Sequence, residues 1–228
     1  MKNVLITGTS HGIGEELVKQ YAQEGCNVIA GVRDEKDAQE LSKISHVKCV
    51  QMDVCDTQSI QKAAEQLKDQ PIDMIINNAA IKPKDEKELG QTENSEEWED
   101  VFATNVMGPL RVVNAFLPNL KKGSEKCIVN MSDDIASLEK TQGGGHAYLY
   151  RASKAALNSL TRSLAGDLKN SEVTVVSLHP GWVKTEIGGE KAPMKVQDSA
   201  KSVRQVVSKI KKEDTGKFYS FSGEELPW

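Results

Sequence analysis

One pattern runs the length of the chain: a short, nearly continuous apolar run, then a segment of helical period. The apolar runs are NVLIT (3–7), NVIAGV (27–32), VKCVQM (47–52), DMIIN (73–77), CIVNM (127–131), VTVVSL (173–178) and KFYSF (217–221). Helical periods fall at about 13–23, 35–43, 57–69, 96–121, from Tyr148 onward, and 199–211. Strands without polar alternation must be covered on both faces, which is the mark of a parallel sheet flanked by helices. Right-handed crossovers then make the expected architecture a doubly wound α/β sheet of seven mostly parallel strands, with helices on both faces.

The 228 residues suit one such domain. No internal repeat or low-complexity tract divides it, and the charged stretch KPKDEKELGQTENSEE (82–97) reads as a solvated loop. With 38% hydrophobic and 27% charged residues the chain is globular, and a net charge of −4 gives no general attraction to nucleic acid or anionic membrane. No apolar run reaches the roughly 18 residues of a membrane span, and MKNVLITG enters a strand at once without a signal-peptide pattern. A cytoplasmic protein is expected. Cys26, Cys49, Cys55 and Cys127 form no C-x-x-C pair and sit mostly among strand-like neighbours, so buried reduced thiols are expected and no metal site.

After the first strand comes TGTSHGIG, with Gly8, Gly12 and Gly14 at the turn into the first helix. Glycines here let a backbone approach a pyrophosphate, while the helix N-terminus offers free N–H groups and a positive dipole end. A glycine trio alone is weak, but this one opens a βαβ pattern, the context that a dinucleotide site requires. The whole is therefore a single-domain Rossmann fold. An NAD site commonly carries an acidic residue at the end of the second strand; here Val32 is followed by Arg33 and Asp34. A guanidinium suits a 2′-phosphate, and His11 could add a donor, so NADP(H) is favoured over NAD(H). Asp34 opposes that preference.

In YLYRASKAALNSLTRSL, Tyr150 and Lys154 stand four apart, on one face of a helix. Leu157, Leu160, Leu164 and Leu168 continue it as an apolar stripe. An ammonium beside a phenol is expected to lower the phenol's pKa and make it a usable acid or base near neutrality. Tyr148 has Ala152 at the corresponding place and gains no such partner.

Taken together, these motifs resemble those of the short-chain dehydrogenase/reductase superfamily: TGxxxGIG at Thr7–Gly14, Asp53-Val54, Asn77-Asn78-Ala79, Tyr150-x-x-x-Lys154 and P-G-x-V-x-T at Pro180, Gly181, Val183 and Thr185. The resemblance implies that Gly8, Ser10, His11, Gly12, Ile13, Gly14 and Arg33 hold the phosphate end of the cofactor, and Asp53 and Val54 its adenine. Asn77, Asn78 and Ala79 would also contact it, with Pro180, Gly181, Val183 and Thr185 at the nicotinamide. It implies Tyr150 as proton donor to a carbonyl, Lys154 on the nicotinamide ribose, and Asn105 on a relay water. The VNMS strand end, the glycine insert 143–145 and the ending FYSFSGEELPW are similar to sniffer-type carbonyl reductases and C-factor-like proteins. That branch implies NADPH-dependent reduction of small carbonyl compounds, in the reverse direction oxidation of alcohols, and assembly as a homodimer or homotetramer.

The serine departs from the pattern. Family members carry a second serine where VNMSDD places Asp133, and an aspartate would repel a developing oxyanion unless protonated. Ser132 is favoured for the role over Ser137, with a weakly turning-over, dinucleotide-binding signalling protein as the alternative. The short stretch EIGGEKAPMKVQDS after Thr185 predicts a small lid and an open pocket.

Overall fold

The computed structural model describes residues 1–83, 95–141 and 147–228. Most of the charged loop expected at 82–97, and the glycine run 143–145, lie outside the described residues. The seven strands are β1 (Asn3–Thr7), β2 (Asn27–Val32), β3 (Val47–Gln51), β4 (Met74–Asn77), β5 (Cys127–Met131), β6 (Thr174–His179) and β7 (Phe218–Ser220). They lie in the order β3-β2-β1-β4-β5-β6-β7, and each pairing is parallel. The helices are α1 (Gly12–Gln23), α2 (Glu35–Leu41), α3 (Thr57–Gln66), α4 (Ser95–Phe102), α5 (Gly108–Lys122), α6 (Tyr148–Asp167) and α7 (Val196–Val207).

Alternate strand residues feed two apolar layers. Val4 and Ile6 pack with Leu17 of α1 and Val203 of α7, while Leu5 between them faces Phe116 of α5 and Leu164 of α6. Each such side chain taken from water contributes about 1.5–3 kcal/mol before entropy is counted. The predicted stripe on α6 is buried as expected: Leu157, Leu164 and Leu168 are in the interior, and Leu160 is partly so.

The single long helix expected at 96–121 is interrupted. Residues Ala103–Met107 form a π-turn between α4 and α5. The following Gly108-Pro109 gives a reason: a proline ring clashes with the carbonyl four residues earlier, here that of Asn105, and the wider turn relieves the clash. Among the described residues no helix is long and apolar enough to cross a membrane. All four cysteines are free, but only Cys127 is buried; Cys26 and Cys49 are half-buried and Cys55 is exposed.

From β1 the chain winds outward through β2 and β3, then returns to place β4 on the other side of β1. The crevice at the C-terminal ends of β1 and β4 is where such sheets bind ligands. Every candidate motif lies at that edge or on a helix rising beside it.

Candidate active site

The glycine turn is shaped first by its own packing. Gly8 and Gly12 have φ of +65° and +62°, a conformation that favours glycine. A β-carbon on Gly8 would sit 2.6 Å from Ala79 Cα, and one on Gly14 would overlap the Gly8 carbonyl oxygen. Asn78 holds this arrangement: its side-chain amide donates to the Thr7 and Gly8 carbonyls, and its backbone N–H donates to Thr7 Oγ1. His11 occupies the N-cap of α1 without a side-chain cap bond, so the first-turn N–H groups are left for an outside acceptor. His11 itself is exposed, its Nε2 4.0 Å from a Glu186 carboxylate oxygen. Ser10 and Ile13 flank the turn, each half-buried.

At the ends of β2 and β3 lies an open, polar cavity of about 530 Å³ lined by Arg33, Asp34, Gln51, Asp53, Asp56 and Ser59. Arg33 and Asp34 are exposed, whereas Val54 is buried against Gly108. Asp53 accepts from Cys55 N–H, which fixes its carboxylate at the cavity wall.

Asn77 is placed differently from Asn78. Its side chain is buried and donates to Asn130, which donates to Thr161, where Ser177 also bonds. This chain of polar groups ties β4, β5 and β6 to α6 beneath the crest. It was not anticipated, although asparagine and serine inside apolar strands (CIVNM, VTVVSL) are unusual enough to signal it.

Tyr150 and Lys154 enter on the first turns of α6, both buried. Lys154 Nζ donates to the Met131 carbonyl at the end of β5, 2.8 Å away, and lies 5.5 Å from the centre of the Tyr150 ring. The ammonium does not lower the phenol's pKa as expected. Burial, then the charge of Asp133 and a hydrogen bond to it, push Tyr150 well above the ordinary phenol range. Burial also draws Lys154 down to about 8, against the opposing pull of Asp133.

Asn105, in the π-turn, is fully buried and has every side-chain hydrogen engaged. It donates to the Ile81 carbonyl and to Ser153 Oγ, and accepts from Ile81 N–H. Ser153 in turn donates to the Tyr150 carbonyl, so Asn105 joins the β4 exit to the start of α6.

Each of the two candidate serines has a hydrogen-bond partner of its own. Ser132 Oγ is buried and donates to Asn158 at 2.7 Å, and Ser137, also buried, accepts from Lys140 N–H. The side chain that acts most on Tyr150, by its charge and by hydrogen bonding, is Asp133. Its carboxylate starts the short turn Asp134–Ala136 by accepting from Ile135 N–H, and lies 3.6 Å from His179 Nδ1 at the end of β6. After His179, Pro180 accepts a bond from Ser199 and Gly181 takes a φ of +91°. Val183 is buried, and Thr185 Oγ1 caps the Gly188 N–H. The methyl of Thr185 would lie 3.4 Å from a β-carbon on Gly12, which brings the β6 exit against the glycine turn.

Residues 2–196 match the model of the short chain dehydrogenase family, and the chain belongs to that family. The C-signal protein of Myxococcus xanthus is 37% identical over 165 residues, 69% of this chain and 93% of that one. Among solved structures, the NADPH-bound carbonyl reductase from chicken fatty liver superposes with a TM-score of 0.91 at 33% identity, covering 100% of this chain and 99% of that one. The carbonyl reductase Sniffer of Drosophila melanogaster gives 0.90 at 31% identity, with both chains covered in full.

Proposed function

We propose that this chain reduces the carbonyl of a small aldehyde or ketone with NADPH, Tyr150 giving the proton. The observation that carries this reading is the placement of Tyr150: a buried phenol beside the buried Lys154, at the crest between the glycine turn and the β6 exit.

The residues fit a dinucleotide. The uncapped start of α1 and the positive-φ glycines suit a diphosphate, the polar cavity at Arg33 and Asp53 suits an adenosine, and Lys154 retains donors beyond its bond to Met131. Arg33 at the cavity edge favours a 2′-phosphate. When bound, the reduced dinucleotide supplies a hydride to the carbonyl carbon. Tyr150 supplies the proton to the oxygen, Lys154 orients the ribose, and Asn105 fixes the height of α6 above β4 through Ser153. Ser132, bonded to Asn158, supports the floor of the pocket.

Titration with NADPH and NADH, followed by a panel of aldehydes and ketones, tests the reading. Tyr150→Phe is expected to lower kcat/KM by about 10²–10⁴ while NADPH still binds. Full activity in that variant overturns the mechanism. One observation, Asp133 against the phenol, favours a second reading as a dinucleotide-binding protein with little turnover. Tight NADPH binding with no oxidation on any carbonyl would support it.

A further inference from the structure

A carbonyl oxygen that accepts a proton from Tyr150 must lie within hydrogen-bond distance of the phenol. A second side chain, Asp133, acts on the same phenol through its charge and hydrogen bonding, from the turn that follows β5. Negative charge grows on this oxygen as hydride arrives, so an ionised carboxylate there opposes the reaction and a neutral carboxyl, with one O–H, assists it. We propose that Asp133 is a catalytic residue that donates a hydrogen bond to the substrate's carbonyl oxygen, and that His179 behind it sets how far it is charged. The inference rests on the carbonyl-reductase reading.

The surroundings shift Asp133 toward the neutral carboxyl. The Asp133 side chain is 24% exposed and sits between β5, β6 and α6. Burial raises its pKa above the ordinary carboxyl range; a hydrogen bond with Asp134 and the charge of that neighbour raise it further, and His179 and the bond from Ile135 N–H pull it down. Donor atoms of Asp133, Asp134 and His179 all lie within 4.8 Å of one another. His179 is buried and its Nδ1 has no hydrogen-bond partner, although it points at Asp133 Oδ1 from 3.6 Å. Two carboxyls and one imidazole thus meet in one corner, with Asp134 on its solvent side and His179 on its buried side. The other charged or titratable groups facing it among the described residues are Tyr150 and Lys154 of α6. The Arg151 guanidinium is engaged with the Ile135 carbonyl and Thr141.

In the step itself the carbonyl carbon gains the hydride and its oxygen gains the Tyr150 proton, while the dinucleotide is oxidised. Asp133 keeps its own proton throughout. Deprotonation of Asp133 should therefore switch the site off as pH rises, about tenfold in kcat/KM per pH unit above the midpoint.

The experiment pairs a pH profile with a direct titration. Carbon-13 NMR of protein labelled at its aspartate carboxyls, with D133N for assignment, should show Asp133 titrating above the ordinary aspartate value of about 3.9. Its midpoint should match the fall in kcat/KM, and both should move to higher pH in H179Q, where the imidazole no longer favours the carboxylate. D133N and D133S, each with a neutral donor, should lose that limb, whereas D133A should fall about 10²-fold at acidic pH. The inference is overturned if Asp133 titrates as an ordinary aspartate, if D133S keeps the wild-type limb, or if D133S reduces carbonyls and the wild type does not. If neither reduces any carbonyl at any pH, the reductase reading falls and takes this inference with it.

Discussion

At the scale of single residues, the least expected feature is how strongly burial governs the Tyr150–Lys154 pair. Spacing alone placed a cation beside a phenol and suggested an acidified tyrosine. In the structure the cation itself is the weakened partner: Lys154 is wholly enclosed, bonded to one carbonyl, and drawn down to about 8. A lysine whose folded pKa lies below its unfolded value of about 10.4 binds fewer protons in the folded chain between those limits, so its contribution to stability grows as pH rises through that window. Wild type compared with Lys154→Met should therefore gain on the order of 2 kcal/mol between pH 7 and pH 10, read by urea unfolding at a series of pH values. A flat difference across that range would place the ammonium in a wetter setting than the one seen here. The motif spacing revealed the partners. It could not reveal the burial, because that depends on Asp133, Met131 and the β5 end arriving from elsewhere in the chain.

At the scale of elements, strand positions were legible because apolar runs bounded by polar residues leave little freedom, and β1, β2 and β5 fall on the residues anticipated. The 96–121 helix was not, since a helical period continues through a π-turn and only the Gly108-Pro109 pair hints at the break. The glycine turn shows a similar division. Its sequence pattern pointed to a ligand, yet two of the three glycines answer to packing against Ala79 and against the turn's own carbonyl. Substitutions should separate these demands. Gly12→Ala meets only the Thr185 methyl at 3.4 Å and the strain of a positive φ, so a loss of about 1–2 kcal/mol, or a few degrees in Tm, is expected. Gly14→Ala has no room, with the Asn78 amide nitrogen 2.5 Å from the added carbon, and should lose at least about 3 kcal/mol or fail to fold. Similar Tm values for the two variants would mean that the turn relaxes in a way this packing does not allow.

At the scale of the whole molecule, the crest gathers groups from β1, β2, β3, β4, β5 and β6 and from α1 and α6, so a ligand lying along it would join many elements at once. A ligand that binds only the folded chain stabilises it by mass action, about 2.7 kcal/mol at a free concentration of 100 Kd. For a domain of 228 residues that converts to a rise in Tm of about 5–10 °C. NADPH should give this shift, and NADH a smaller one at the same concentration, because Arg33 stands exposed at the polar cavity while Val32 offers no carboxylate to a ribose hydroxyl. Asp34 beside Arg33 works against the phosphate, so the margin between the two dinucleotides depends chiefly on the guanidinium. Arg33→Ala should then lower the NADPH shift to that of NADH and leave the NADH shift in place, in a thermal melt that needs no substrate. An equal loss with both dinucleotides would show that Arg33 supports the cavity wall and does not read the 2′ position.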